Sequence, residues 1–316
     1  MSSSPHVHTN ETVSRIMLDV IIALMPACIA GVLFFGFRSA VVILTSVAAC
    51  MAAEWIFEKI TKKETTLSDL SAAVTGVILG MNMPVGIPLW MVVVGSAFAI
   101  VVVKQLYGGL GKNFLNPALA GRCFMVIAWA GAMTTFAPAA FTGVDAVSSA
   151  TPLAIMKSGA EGDMPSLLQA FLGAKSGCIG ETSALCLIVG FIYLLIRRVV
   201  TVRIPAAFIL SFVVLTYLFG APGEMSQWYY TLMQVLTGGL VFGAFFMATD
   251  YVTTPTTPLG QIVFGIGCGV LTFVIRKFGG YPEGVSFAIL LMNVASPLIE
   301  TATKPRVFGT KGGRAK

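Results

Sequence analysis

The sequence predicts an all-α protein that crosses a membrane many times. Of its 316 residues, 56% are hydrophobic and only 11% are charged, and the mean hydropathy is +0.88. Soluble globular domains carry roughly 25% charged residues, so the composition excludes that class. The apolar residues also form runs long enough to cross a hydrocarbon core of about 30 Å as helices, because each helical residue advances about 1.5 Å.

Ten apolar stretches, each about 16–22 residues long, are predicted to span the membrane. The first follows a polar N-terminal segment, and no small-residue cleavage site follows the stretch itself. We therefore predict a retained helix there and not a signal peptide. The stretches lie at 16–37, 39–57, 67–83, 86–103, 113–133, 182–197, 204–220, 229–249, 257–275 and 284–300.

The distribution of Lys and Arg predicts that both termini are cytoplasmic, because short inside loops retain the basic residues. Arg276 and Lys277 are the exception, since they lie at a predicted outside end. The net charge of +6 is then a topological signal, and nucleic-acid binding is not predicted. The predicted regions are a cytoplasmic N-terminus 1–15, a first five-helix half 16–133, an outer loop 134–181, a second five-helix half 182–300 and a basic cytoplasmic tail 301–316.

The two halves carry similar short motifs. Residues 102–109 end the fourth stretch with a basic residue and a Gly pair, and residues 274–280 end the ninth in the same way. Thr75-Gly76 and Thr237-Gly238 lie in the third and eighth stretches. Because five spans per half is an odd number, the halves face opposite ways, as in the inverted repeats of channels and transporters. In the alternative, each Gly pair only ends its helix.

Arg122 lies inside the fifth stretch, after Asn116 and Pro117. An ionisable side chain in a membrane span is costly and marks a candidate functional site. Pro117 could break the span, which would make a phosphate or ion site next to Arg122, or it could simply begin the helix. In the alternative interpretation, Arg122 pairs with a neighbouring carboxylate and holds helices together.

Four carboxylates lie at or near span ends, and the segment after one of them is unusually rich in hydroxyls. Residues 249–258 contain five threonines and two prolines around Asp250. This segment is either non-helical and lines a polar cavity, or an ordinary loop with Thr257 as N-cap and Pro258 as first helical residue. The four carboxylates are Asp19, Glu54, Asp69 and Asp250.

Several familiar sites are not predicted. The six cysteines include no C-x-x-C motif, so neither an iron–sulfur cluster nor a zinc site is expected from this chain alone. His6 and His8 are the two histidines, which are too few for a metal site. The alternating glycines Gly265, Gly267 and Gly269 lie within a span and predict close helix packing.

The outer loop contains the dipeptide Thr151-Pro152. Thr at the N-cap with Pro at the first helical position is a common helix start. Proline also disfavours helical geometry at the residue before it. The hydroxyl of Thr151 would then be presented at a turn, where it could be modified.

Asp145-x-x-Ser148-Ser149-Ala150-Thr151 is similar to the D-x-x-S/T-G-A-T signature at which a flavin transferase attaches FMN to threonine through a phosphoester. Ser149 stands where the signature has Gly, and it offers a second hydroxyl beside Thr151. Other motifs extend the resemblance over nearly the whole chain, and they identify it as similar to the RnfD/NqrB family. These motifs lie at 4–6, 19–26, 108–113, 116–118, 246–250 and 279–284.

The resemblance implies a membrane subunit of the ion-translocating ferredoxin:NAD oxidoreductase (Rnf) complex in the cell (inner) membrane. Its membrane plan would be urea-transporter-like, in keeping with a 5+5 repeat. It would relay electrons coupled to Na⁺ or H⁺ transport. Its partners would be the A, B, C, E and G subunits of the complex, a flavin transferase and the lipid bilayer.

The resemblance also implies covalent FMN on Thr151, on the outer side, and relatives additionally bind riboflavin without a covalent link. Asp145, Ser148 and Ala150 would be recognised during attachment, and no residue would act as a catalytic acid, base or nucleophile. The short N-terminus favours the RnfD branch. The alternatives are an NqrB-type subunit of NADH:quinone oxidoreductase, or a solute or ion channel without a redox role.

Overall fold

The computed structural model describes residues 12–139, 150–158, 164–220 and 226–305. Their architecture is helical, and each of the ten predicted stretches coincides with helical structure. The helices of the first half are α1 Val13–Phe35, α2 Phe37–Ile60, α3 Ser71–Met81, α4 Leu89–Ala97, α5 Pro117–Ala128 and α6 Ala130–Thr134. Then follow α7 Pro152–Ser158, α8 Leu167–Leu172, α9 Ala184–Ile196, α10 Arg203–Phe219, α11 Gln227–Leu236, α12 Leu240–Phe242, α13 Pro258–Phe278 and α14 Val285–Thr303.

Four of the described helices are long and apolar enough to cross a membrane, namely α1, α2, α13 and α14. A fifth span is formed if α11 is joined to α12 and its π-helical extension Gly243–Met247, across a bend of 60°. Five further apolar helices in the described part of the chain are shorter than this. They are α3, α5, α9, α10, and α4 together with its π-helical extension Phe98–Gln105. The chain therefore has the helices of a membrane protein, and the number of ten spans stays a prediction.

Helices α5 and α13 begin at prolines, as the sequence predicts. Asn116 caps α5 by accepting hydrogen bonds from the backbone N–H groups of Ala118 and Leu119, and Pro117 is the first helical residue. Thr257 caps α13 in the same way, with Pro258 at the first position. Pro117 thus begins a helix and does not break one, because its missing N–H is not needed there.

Glycines allow the closest helix contacts in the bundle. A methyl group on Gly265 of α13 would lie 2.7 Å from the carbonyl oxygen of Ile204 in α10, and one on Gly269 would lie 2.6 Å from that of Phe208. Real Cβ atoms do not approach that closely, so α10 and α13 pack backbone to backbone. This confirms the packing role predicted for the alternating glycines.

The repeated motifs do not occupy equivalent positions in the two halves. Thr75-Gly76 lies within α3, whereas Thr237-Gly238 lies at the break between α11 and α12, where Gly238 has φ +71°. The Gly pairs end their helices, and Gly279 does so by donating its N–H to the carbonyl of Ile275. The inverted repeat therefore stays a prediction.

Candidate functional site

A cavity of about 320 Å³ lies beside Thr151. Its walls are the second half of α5, the end of helix α6 with Phe136 just beyond it, the start of α7, and the turn that leads into α14 together with the first residues of that helix. Small-molecule sites have volumes of roughly 300–1,000 Å³ and are mostly apolar with a few polar groups. The side chains of Arg122, Phe136, Thr151, Tyr281, Glu283 and Phe287 give this cavity that character.

Thr151 is the N-cap of α7. Its Oγ1 accepts a hydrogen bond of 3.3 Å from the backbone N–H of Ala154, and Pro152 is the first residue of the helix. The predicted helix start is therefore confirmed. Thr151 also lines the cavity, so the capping residue is part of the site as well. A hydroxyl oxygen has two acceptor lone pairs and would still accept this bond after esterification.

Helix α7 is fastened to the opposite wall of the cavity. Nζ of Lys157 donates to the backbone carbonyl oxygens of Gly279 and, at 2.8 Å, Tyr281. Partial burial lowers the pKa of Lys157. Leu153 is buried and lies against Gly238 at the break between α11 and α12. These contacts fix Thr151 at the cavity edge.

Arg122 lies in the cavity wall and is only 7% exposed. Its Nη1 donates to Oδ1 of Asn82 at 2.6 Å. Its Nη2 lies 3.2 Å from Oε1 of Glu181 and forms an ion pair with it. The geometry of this pair is not that of a hydrogen bond, so Oε1 of Glu181 is left without a donor. The alternative predicted from sequence, a carboxylate partner that joins two parts of the fold, is therefore confirmed.

A second ion pair closes the cavity on the side of α14. Nη2 of Arg276 lies 3.3 Å from Oε1 of Glu283, and the backbone N–H of Gly239 donates to Oε2 of Glu283 at 2.8 Å. Nη1 of Arg276 also donates to the carbonyl of Gln234 at 2.5 Å, near the end of α11. The break between α11 and α12 is thus tied directly to a cavity wall.

Lys175 is buried behind the cavity, with an exposed fraction of 3%. Its Nζ donates to the carbonyl of Leu236, the last residue of α11. Burial lowers the pKa of Lys175 to about 8, and the nearby Glu181 and Glu283 oppose that effect. At neutral pH this side chain is therefore mostly positively charged.

Comparison with known proteins decides the family. The family model described as NQR2, RnfD, RnfE family matches residues 1–309. The chain belongs to this family. The resemblance drawn from sequence motifs is therefore confirmed over almost the full length.

Similar members of the family include the D subunits of three curated complexes. That of the Na(+)-translocating ferredoxin:NAD(+) oxidoreductase complex of Acetobacterium woodii is 46% identical over 311 residues, which cover 98% of this chain and 95% of that protein. That of the proton-translocating ferredoxin:NAD(+) oxidoreductase complex of Clostridium ljungdahlii is 44% identical over 324 residues, covering 98% and 96%. That of the ion-translocating oxidoreductase complex of Pectobacterium atrosepticum is 37% identical over 347 residues, covering 98% of each chain.

In this member of the family, the cavity brings together three of the predicted site residues. Ala150, Thr151 and Arg122 all line it, although Arg122 is 29 positions away from Thr151 along the chain. The predicted motif residues Asp145, Ser148 and Ser149 lie outside the described residues. Sequence reasoning did not select Lys175, Glu181, Tyr281, Glu283 or Phe287 for this site.

The other predicted polar positions have structural partners. Asp19 pairs with Arg197 at 3.0 Å, Glu54 pairs with Lys104 at 2.6 Å, and Asp69 accepts from the N–H of Ser71 at the start of α3. Asp250 accepts from the hydroxyl of Thr253 within its own loop. The threonine-rich loop fits both interpretations, since it ends in the predicted cap and its residues 253–256 also line a second cavity of about 250 Å³.

Proposed function

We propose that this chain is the RnfD-type membrane subunit of an ion-translocating ferredoxin:NAD oxidoreductase complex. Family membership and the names of relatives at 37–46% identity support this role. The chain then acts as part of a redox enzyme complex and not as a stand-alone catalyst. The relatives' names include both Na⁺ and proton translocation, so either ion is compatible with the proposal.

The cofactor that we propose is FMN, attached through its phosphate to Oγ1 of Thr151. The observation that carries this assignment is that Thr151 lies at the edge of a cavity with Tyr281 and Phe287, whose ring centroids are 5.8 Å apart in a stacked arrangement. An aromatic, mostly apolar wall suits a planar ring system. When bound, the flavin would supply reversible electron transfer, which no side chain here provides.

The chain's own residues would hold and orient this group. Thr151 is the tether, and Ala150 is part of the attachment motif together with Asp145, Ser148 and Ser149. Arg122 lies in the cavity wall and would face the ring system. Lys157 keeps α7 against the turn at 279–281 and thereby fixes the tether. The motif gives no residues for an additional, non-covalent riboflavin.

The proposed topology has ten spans in a 5+5 inverted repeat of urea-transporter-like plan in the cell (inner) membrane. Both termini are cytoplasmic and the loop 134–181, with Thr151, is on the outer side. The bent pair of α11 and α12 supports this plan, because broken helices are typical of transporters with inverted repeats. The proposed partners are the Rnf A, B, C, E and G subunits, a flavin transferase and the bilayer.

In-gel fluorescence tests the attachment. The chain is expressed together with a flavin transferase, denatured, separated by electrophoresis and viewed under ultraviolet light. The intact chain is expected to fluoresce and Thr151→Ala to lose the signal. Thr134→Ala is the matched control, because Thr134 is another threonine that lines the same cavity, and it should keep the signal.

Two results would contradict this assignment. Fluorescence retained by Thr151→Ala moves the attachment to another hydroxyl, and Ser149→Ala then tests the neighbouring one. No fluorescence in the intact chain isolated from its native host would favour a channel without a redox role, in which Thr151 only caps α7.

A further inference from the structure

Five charged side chains gather in and behind one wall of the cavity, within the described part of the chain. Four of them are buried, with exposed fractions of 3–7%, and the side chain of Glu283 is 20% exposed. Three cations against two carboxylates leave one net positive charge in a place with little water. We call this set the charged network, and its members are Arg122, Lys175, Glu181, Arg276 and Glu283.

The charged network is continuous because its members meet around the break between α11 and α12. A methyl group on Gly239 would lie 2.8 Å from Oε1 of Glu181, and the N–H of Gly239 donates to Glu283. A methyl group on Gly238 would lie 2.7 Å from Oε2 of Glu283 and 3.0 Å from Nη2 of Arg276. Glycine at both positions lets the two ion pairs approach each other.

The charged network has unused capacity for a negative partner. Nε of Arg276 is buried without a hydrogen-bond acceptor, and Nη2 of Arg122 has, besides Glu181 at 3.2 Å, only the weak acceptor Sγ of Cys178 at 3.8 Å. An incompletely neutralised positive charge in a region of low dielectric is stabilised by a nearby negative charge. Arg122 is a cation of the network that also lines the cavity.

We propose that the charged network stabilises negative charge on a flavin ring in the cavity and thereby raises its reduction potential. This inference rests on the proposed function, since it requires FMN on Thr151. When bound, the flavin would supply electron transfer, and each electron taken from the preceding carrier of the complex without a proton would add one negative charge to the ring. That charge would leave with the electron to the next carrier. Charged groups that are already held close to such a developing charge stabilise it, and the protein does not have to rearrange when the charge forms.

Redox titration of the full-length flavinylated chain, followed by visible absorbance, tests the inference. Arg122→Gln should make the flavin harder to reduce, by at least tenfold in the ratio of reduced to oxidised flavin, which is about 59 mV for a one-electron couple. Glu181→Gln should shift the potential in the opposite direction, because it removes a negative charge. Arg197→Gln is the matched control, since Arg197 also pairs with a carboxylate, Asp19, and does not line this cavity.

In-gel fluorescence of the same samples separates the two proposals. If the intact chain carries no flavin, the proposed function fails. If the flavin is attached but Arg122→Gln and Glu181→Gln titrate like the intact chain, or shift in the same direction, the charged network does not set the potential. Should Arg122→Gln not fold, Glu181→Gln decides the inference by the sign of its shift, and Arg122→Lys should titrate within about threefold of the intact chain because the charge is kept.

Discussion

At the scale of single residues, the neighbours of Thr151 in sequence predict its capping role, and the fold gives its place beside the cavity. The Thr-Pro pair predicts a helix cap, and Thr151 is that cap. The same residue also borders a cavity, which its immediate neighbours in sequence could not reveal. A structural role and the proposed tether are therefore compatible at one hydroxyl.

For Arg122, the sequence predicted the kinds of role that the side chain could have but not its partner. Its position within an apolar stretch predicted either an ion pair or a binding site, and the structure gives it a carboxylate partner and a place in the cavity wall. Glu181 could have been found as a carboxylate just before a predicted span. Its pairing with Arg122 could not, because the contact joins residues 59 positions apart and depends on tertiary packing.

Lys175 leads to a prediction about pH. Its pKa is about 8 in the folded protein against an ordinary value of 10.5. Between these values the unfolded chain binds the proton and the folded chain does not, so stability rises with pH, by on the order of 3 kcal/mol across the whole interval. Thermal unfolding of the detergent-solubilised protein from pH 7.5 upward measures this change.

Lys175→Met is the comparison for that measurement, because other groups also titrate in this range. The difference between the intact chain and the variant should grow in favour of the intact chain as pH rises. A constant difference over that interval would show that Lys175 keeps an ordinary pKa.

At the scale of elements, the glycine spacing in α13 predicted close packing, and the contact with α10 confirms it. The break between α11 and α12 was not predicted, since the apolar stretch 229–249 reads as one continuous span. Thr237-Gly238 was the available signal. Gly238 adopts the left-handed conformation at the break, which glycine tolerates better than other residues.

Gly269→Ala should destabilise the contact between α10 and α13. The added methyl group would meet the backbone oxygen of Phe208 at 2.6 Å, and overpacking of this kind costs about 1–3 kcal/mol. The thermal midpoint of the solubilised protein should fall accordingly. Gly86→Ala is the control, because nothing lies within 4 Å of its added methyl group, and an equal fall in both variants would contradict the packing argument.

At the scale of the whole molecule, composition predicted the helical membrane class, and helix lengths leave the number of spans open. Short helices such as α3 do not meet a simple length criterion, and α11 meets it only when it is joined to α12 and its π-helical extension across the bend. Span counting from sequence rests on hydropathy alone, whereas the path through the membrane depends on how these pieces pack.

Cysteine labelling with a membrane-impermeant reagent tests the proposed topology. Ser158→Cys, at an exposed position of α7, should react in whole cells. Lys304→Cys, exposed near the C-terminus, should react only after the membrane is opened. The unmodified chain gives the background, since its six cysteines are buried or half-buried. The reverse pattern would invert the orientation.

Mass analysis of the proteolytic peptide that contains Thr151 is the decisive measurement for covalent FMN on this chain. In protein isolated from its native host, we expect a mass increase equal to FMN less one water, with fragmentation that assigns it to Thr151. An unmodified Thr151 in that protein, or the same mass increase on a different residue, would overturn the assignment.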